Sequence, residues 1–198
     1  MSIAPLTPGL FDPILGSQIV FRDMLDAMAG PGTIRRIGDE VCGTPDELPR
    51  AAAACLLTLV DYDTPVWLDT DFAAIRSWLA FHTGAPMAPS PRDTRFAVMS
   101  GQSHSPALTE FPRGDDRYPD LSATVIVVCT SLNEGRAVRL TGPGIESETV
   151  IAPQGLHDQF WTNYRENNAH FPLGCDVILV AGDHFLALPR SVHSVEIG

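Results

Sequence analysis

The chain has 198 residues, with 24 acidic side chains against 13 basic ones, a formal net charge of −11 and a sequence pI near 4.8. All 13 basic side chains are arginines, so no amine is available for a Schiff base to pyridoxal phosphate or a carbonyl substrate, and no lysine for a nucleotide phosphate loop. The acidic balance also argues against binding nucleic acid or an anionic membrane by overall charge, so an anionic ligand must meet arginines gathered locally.

In residues 17–29 the apolar side chains Val20, Phe21, Met24, Leu25 and Met28 recur at helical spacing and predict one face of an amphipathic helix, with Ser17 as its cap. Gly30-Pro31-Gly32 stops it, and residues 33–37, with Arg35 and Arg36, follow as a short strand. Thr44-Pro45-Asp46-Glu47 carries the signature of a capping box with proline in the first turn. Residues 51–60 are too apolar for a surface helix, which places them against a sheet. Residues 64–68 read as a strand, and residues 71–82 as a helix with Phe72, Ile75, Trp78 and Leu79 inward, closed by Gly84 and Pro86.

The proline-rich segment 85–91 is a loop, residues 95–99 a strand, and a short helix is expected near Leu108. The β-branched runs 123–129 and 176–181 have the composition of strands covered on both faces and are expected at the centre of the sheet. Residues 137–140 and 149–152 flank a turn as a hairpin. Residues 156–167 form a helix with Leu156, Phe160 and Tyr164 on one stripe, and a tight turn at Gly182-Asp183 returns residues 185–188 along the preceding strand. The expected fold is α/β: a single three-layer domain spanning 1–198, with a mixed sheet and helices on both faces. The first thirty residues lack a basic run followed by an apolar stretch, and no apolar run reaches the ~18 residues of a membrane span. A cytoplasmic protein with neither a nucleic-acid nor a membrane partner is expected.

Motifs that carry chemistry are few. The cysteines Cys42, Cys55, Cys129 and Cys175 form no Cys-x-x-Cys pair; Cys55 and Cys129 fall in apolar runs, and Cys175 alone invites a reactive reading, against the commoner buried one. The six histidines show no zinc spacing, so no metal site is expected. Gly101-Gln102-Ser103-His104-Ser105 departs from the nucleophile elbow at its last position and reads as a polar loop. Thr141-Gly142-Pro143-Gly144 lacks the third glycine of a dinucleotide loop and fits a type II turn. Asp61, Asp63, Asp69 and Asp71 miss the calcium-loop pattern and suit caps and turns. There remain arginines near strand ends, Arg136, Arg139 and Arg190, with Arg22 and Arg35 as further members; guanidinium groups present paired donors to phosphate and phosphonate oxygens.

Taken in order, Ser17-Gln18, Phe21-Arg22, Gly30-Pro31-Gly32, Leu57-Thr58-Leu59-Val60-Asp61, Thr64-Pro65-Val66-Trp67-Leu68, Phe81-His82-Thr83-Gly84-Ala85-Pro86, Leu140-Thr141-Gly142-Pro143-Gly144-Ile145, Phe171-Pro172-Leu173-Gly174 and Leu188-Pro189-Arg190-Ser191 resemble the PhnH subunits of the bacterial carbon-phosphorus lyase core complex. The resemblance runs nearly end to end. It implies a cytoplasmic homodimer of phosphonate catabolism that assembles with three other subunits. The complex displaces adenine from MgATP with an alkylphosphonate, giving a ribose 1-phosphonate 5-triphosphate, so that MgATP is a substrate of the assembly and no cofactor is expected on this chain. It further implies a fold resembling pyridoxal-phosphate-dependent transferases without the cofactor, in keeping with a chain that has no lysine for the internal aldimine. No catalytic residue carries over. The expected ligand contacts are Arg139, Asp176 and Arg190, with Gly142 and Gly144. Two roles follow: a structural or ligand-binding subunit, or a subunit that holds nucleotide or phosphonate directly in an arginine-lined pocket.

Overall fold

The computed structural model describes residues 7–38 and 43–196, which leaves Cys42 outside the described residues. Asp12 opens the first helix: its Oδ1 accepts from the N–H groups of Ile14 and Leu15, both at 2.9 Å, at the head of α1 (Pro13–Ala29). The helix therefore starts a turn before Ser17, whose hydroxyl instead donates back to Pro13 O at 2.6 Å from inside it. A carboxylate cap followed by proline at the first helical position outcompetes the serine.

The expected strand at 33–37 shrinks to β1 (Arg35–Arg36). The capping signal at Thr44 opens no helix. Residues 45–48 turn, with Leu48 N–H donating to Pro45 O at 3.0 Å, and α2 (Arg50–Leu59) begins only after Pro49. Proline disfavours helical geometry in the residue before it, which stops a helix from running through Leu48. Its segment from Ala51 to Leu56 is fully buried, as its composition predicts.

β2 (Val66–Leu68) leads into a 3-10 turn over Thr70–Ile75 and then α3 (Arg76–Thr83), closed by Gly84 at φ 72°. β3 (Phe96–Ser100) and β4 (Thr124–Val128) follow, separated by a loop whose expected helix is a single 3-10 turn at Leu108–Glu110. β5 (Val138–Thr141) and β6 (Thr149–Ile151) pair antiparallel as the expected hairpin, and α4 (Phe160–Asn168) buries Phe160 and Tyr164. β7 (Asp176–Ala181) turns at Gly182 (φ 58°) into β8 (His184–Leu188), which pairs back on it. Glycine at the first position suits a two-residue hairpin turn. β9 (His193–Glu196), absent from the sequence reading, joins β5.

The main sheet has the order β1-β8-β7-β4-β3-β2, with β2, β3, β4 and β7 parallel and β8 and β1 antiparallel. The two β-branched runs occupy its middle, as their composition requires. Val98, Ile126 and Ile178 pack against α1, α2 and α3; Val125, Val127 and Leu179 on the other face meet α4 and the small sheet β6-β5-β9. The second cover is thus part helix and part sheet, a correction to the expected layer of helices.

The face of α1 is also corrected. Val20 and Met24 are buried, but Phe21 and Leu25 are 45% and 53% exposed. Among the described residues no helix is long and apolar enough to cross a membrane.

Candidate functional site

Parallel strands in α/β folds ordinarily present ligands at their carboxyl ends. Here residues 154–157 lie across the carboxyl ends of β3 and β4: Thr130 N–H donates to Gln154 O at 3.0 Å and His157 N–H to Gly101 O at 2.7 Å. The fit is close enough that a Cβ on Gly101 would stand 2.3 Å from Gly155 O. Backbone fills this place, with charged cavities beside it along residues 130–134 and 181–184 and around Arg136, while the grooves walled by several arginines lie at the opposite, amino edge.

Asp176 is the first residue of β7, and Val177 pairs with Leu188, so the hairpin brings Arg190 beside Asp176. Asp176 Oδ1 accepts from Arg190 N at 2.9 Å and Nε at 3.1 Å, and Oδ2 accepts from Nη2 at 2.6 Å. Nη1 donates to Pro119 O at 3.0 Å and Nη2 to Ser122 Oγ at 2.5 Å. Burial opposes the arginine's charge, but the hydrogen bond and charge of Asp176 outweigh it and raise its pKa. The guanidinium ties the start of β7 to residues 119–122. A cavity of about 440 Å³ adjoins the pair, lined also by Asp63, Arg95 and Asp120.

Of the residues expected to contact ligand, the structure unites Asp176 and Arg190 and sets the others elsewhere. Arg139 lies on the exposed face of the small sheet, opposite Val150 and Val195, and its Nε is 3.0 Å from Glu148 Oε2. Ile145 N–H donates to Gly142 O at 3.1 Å, and Gly144 has φ 83°, the geometry of the expected type II turn. A Cβ on Gly144 would fall 2.2 Å from Ala29 O, so this turn is packed against the end of α1. Arg35 pairs with Asp26 at 3.5 Å, Arg22 is exposed on α1, and Arg136 lines a carboxyl-edge cavity with His157 and Trp161.

Cys175 takes the buried reading: its Sγ points at the carbonyls of Leu108 and Pro112, and burial pushes the thiol up to about 12. Asp69 is a cap, with Oδ1 accepting from Thr70 N–H at 2.6 Å and Oδ2 from the Ser103 hydroxyl. Asp61 Oδ1 accepts from Asp63 N–H at 2.9 Å in a turn. The sequence reading missed Arg92, Arg95 and Arg113, which line the amino edge beside Arg190's cavity. Their available signal was position, since Arg95 is the first residue of an expected strand.

A family model described as bacterial phosphonate metabolism protein (PhnH) matches residues 8–195. The chain is 39% identical over 182 residues to the alpha-D-ribose 1-methylphosphonate 5-triphosphate synthase subunit PhnH of Rhizobium meliloti (strain 1021), covering 91% of this chain and 90% of that one. It is 33% identical over 178 residues to HtxG of Stutzerimonas stutzeri, provisionally named a C-P lyase subunit protein, covering 89% and 84% respectively.

Proposed function

The chain belongs to the PhnH family of bacterial phosphonate metabolism proteins, and from that premise we propose that it is a non-autonomous subunit of the carbon-phosphorus lyase core complex. In this reading it supports transfer of an alkylphosphonate to the ribose of MgATP with release of adenine, in the cytoplasm, as a structural or ligand-binding component. The observation that carries it is the near end-to-end identity with a relative named as a synthase subunit. Four parallel strands with antiparallel neighbours support a relation to the pyridoxal-phosphate transferase fold. The cofactor itself does not fit, because no lysine exists to hold it.

Assembly as a homodimer has a surface to use. Phe11, Ile14, Leu15 and Leu25 are between 53% and 80% exposed along the outer side of α1 and the residues before it. A cluster of this kind marks a contact surface. Its occupant is a second copy of the chain: Arg22 and Asp26 stand on the same exposed side, so a two-fold mate offers each an opposite charge.

Two measurements test the reading. The chain co-purifies with the other complex subunits but alone converts neither ATP nor methylphosphonate; turnover by the isolated chain overturns it. Sedimentation gives a dimer that Leu15→Glu with Leu25→Glu turns into a folded monomer, and a wild-type monomer at micromolar concentration removes the dimer. The second reading, a pocket that holds nucleotide or phosphonate directly, draws on the cavity beside Arg190 and Asp176.

A further inference from the structure

A groove of about 540 Å³ lies at the amino edge of β2 and β3, beside Arg190's cavity, and its walls include Arg92, Arg95, Arg113, Asp63, Asp93 and Gly114. The three arginines come from two segments. Arg92 sits in the 3-10 turn Pro91–Asp93, Arg95 immediately precedes β3, and Arg113 bridges to Ser122 ahead of β4.

The wall carrying Arg113 is built and held. Its carbonyl accepts from Gly174 N–H at 3.0 Å, and the neighbouring Pro112 carbonyl accepts from Ala123 N–H at 2.8 Å. Gly114 has φ 74°, and a Cβ there would stand 2.7 Å from Pro119 O, so the loop closes with glycine. Arg95 is fixed by donating to Leu121 O.

Two of these arginines hold their charge unpaired. With 24 acids against 13 arginines, a carboxylate is abundant for every guanidinium. Arg35, Arg36, Arg139 and Arg190 each take one. The guanidiniums of Arg92 and Arg113, like those of Arg22, Arg76 and Arg117 on the open surface, have neither a hydrogen bond nor an ion pair among the described residues, but these two line one groove, which also contains Asp63 and Asp93. Asp93 is engaged elsewhere, accepting from Ser90 Oγ at 2.6 Å.

We propose that this groove binds a phosphorylated sugar. Guanidinium forks match phosphate oxygens, and the volume falls within the ~300–1,000 Å³ of small-molecule sites, more than a lone phosphate needs. The remaining carboxylate points to the rest of the ligand: Asp63 repels a bare polyphosphate but accepts hydrogen bonds from sugar hydroxyls. The groove and its phosphate contacts rest on these residues, while the choice of ribose as the sugar rests on the proposed subunit reading.

The test is calorimetric titration of the full chain at low salt, where screening is weak, with ribose 5-phosphate, ribose and inorganic triphosphate. Ribose 5-phosphate binds saturably and ribose does not. Arg113→Ala and Arg92→Ala each weaken binding at least about tenfold, while Arg117→Ala, exposed and off the groove wall, leaves it unchanged. Asp63→Asn weakens ribose 5-phosphate. Arg92 is exposed on a turn, so its variant keeps the test decisive even where Arg113→Ala loses its fold. No saturable binding, or unchanged affinity in Arg92→Ala, overturns the site. Tighter binding of inorganic triphosphate, with Asp63→Asn without effect, overturns the sugar assignment. A chain that assembles with its partners yet binds no sugar phosphate sinks this inference alone.

Discussion

Arg190→Ala separates a strut from a ligand contact. It removes the bonds from Nε at 3.1 Å and Nη2 at 2.6 Å to Asp176, and strips Pro119 O and Ser122 Oγ of their donor. Asp176 keeps only the backbone N–H of residue 190, at 2.9 Å, which alanine preserves. Breaking a fully buried pair from one side costs about 3–5 kcal/mol, whereas an exposed pair contributes about 0–1 kcal/mol. The side chains of Arg190 and Asp176 are 15% and 21% exposed, near the buried limit but reached by water. Screening and the retained backbone bond bring the expected loss to about 2–3 kcal/mol. Urea unfolding measures it as a lower midpoint with unchanged slope. Asp176→Asn keeps an acceptor and is expected to lose about 1–2 kcal/mol, and the double variant to lose less than the sum, because the two share one interaction. A wild-type midpoint in Arg190→Ala, or strict additivity in the double variant, refutes this account of the pair. The same folded variant also reads function. Sugar-phosphate affinity within about twofold of wild type leaves Arg190 a strut, whereas a loss of about tenfold with the fold intact moves it among the ligand contacts.

Two further outcomes rest on the core. The fully buried Asn167 pairs its amide with the backbone of Cys175, accepting at 2.8 Å and donating at 2.9 Å. Asn167→Ala leaves both buried groups without that partner, at about 1–3 kcal/mol each, so thermal unfolding shifts down by roughly 4–24 °C; a shift below about 2 °C contradicts the pairing. Burial pushes Cys55, Cys129 and Cys175 each up to about 12. Since a thiolate forms only as pH approaches the pKa, a native Cys42→Ser chain at pH 8 reacts with a disulfide reagent only through unfolding, and rapid native labelling rules this out.

How far the sequence could be read depended on the range of each contact. The central strands were legible because continuous β-branched runs need cover on both faces, and β4 and β7 have it. The Asp176–Arg190 pair was within reach because one hairpin joins them. The inner face of α1 was half misread. Phe11, Ile14 and Leu15 make that stretch apolar nearly all round, so periodicity finds a helix without telling which side meets the core. The box at Thr44 misled because a local signal was overruled by Pro49 a few residues on. Arg139 found Glu148 across its own hairpin, a local competitor that arginine counting does not weigh.

Arg92, Arg95 and Arg113 were hidden for a different reason. Arg92 and Arg95 share the stretch before β3, but Arg113 belongs to the approach to β4, and the crossover that parallel strands need separates the two approaches in sequence while the sheet brings them together. No short motif can record such a cluster; only the sheet order assembles it. The same topology accounts for the choice of edge. Backbone fills the carboxyl ends of β3 and β4, while the starts of the parallel strands stay open between loops that carry guanidinium groups. A lysine-free chain carries its basic side chains as planar forks alone, and two of them that share one groove without a carboxylate partner are placed to receive an oxyanion from outside.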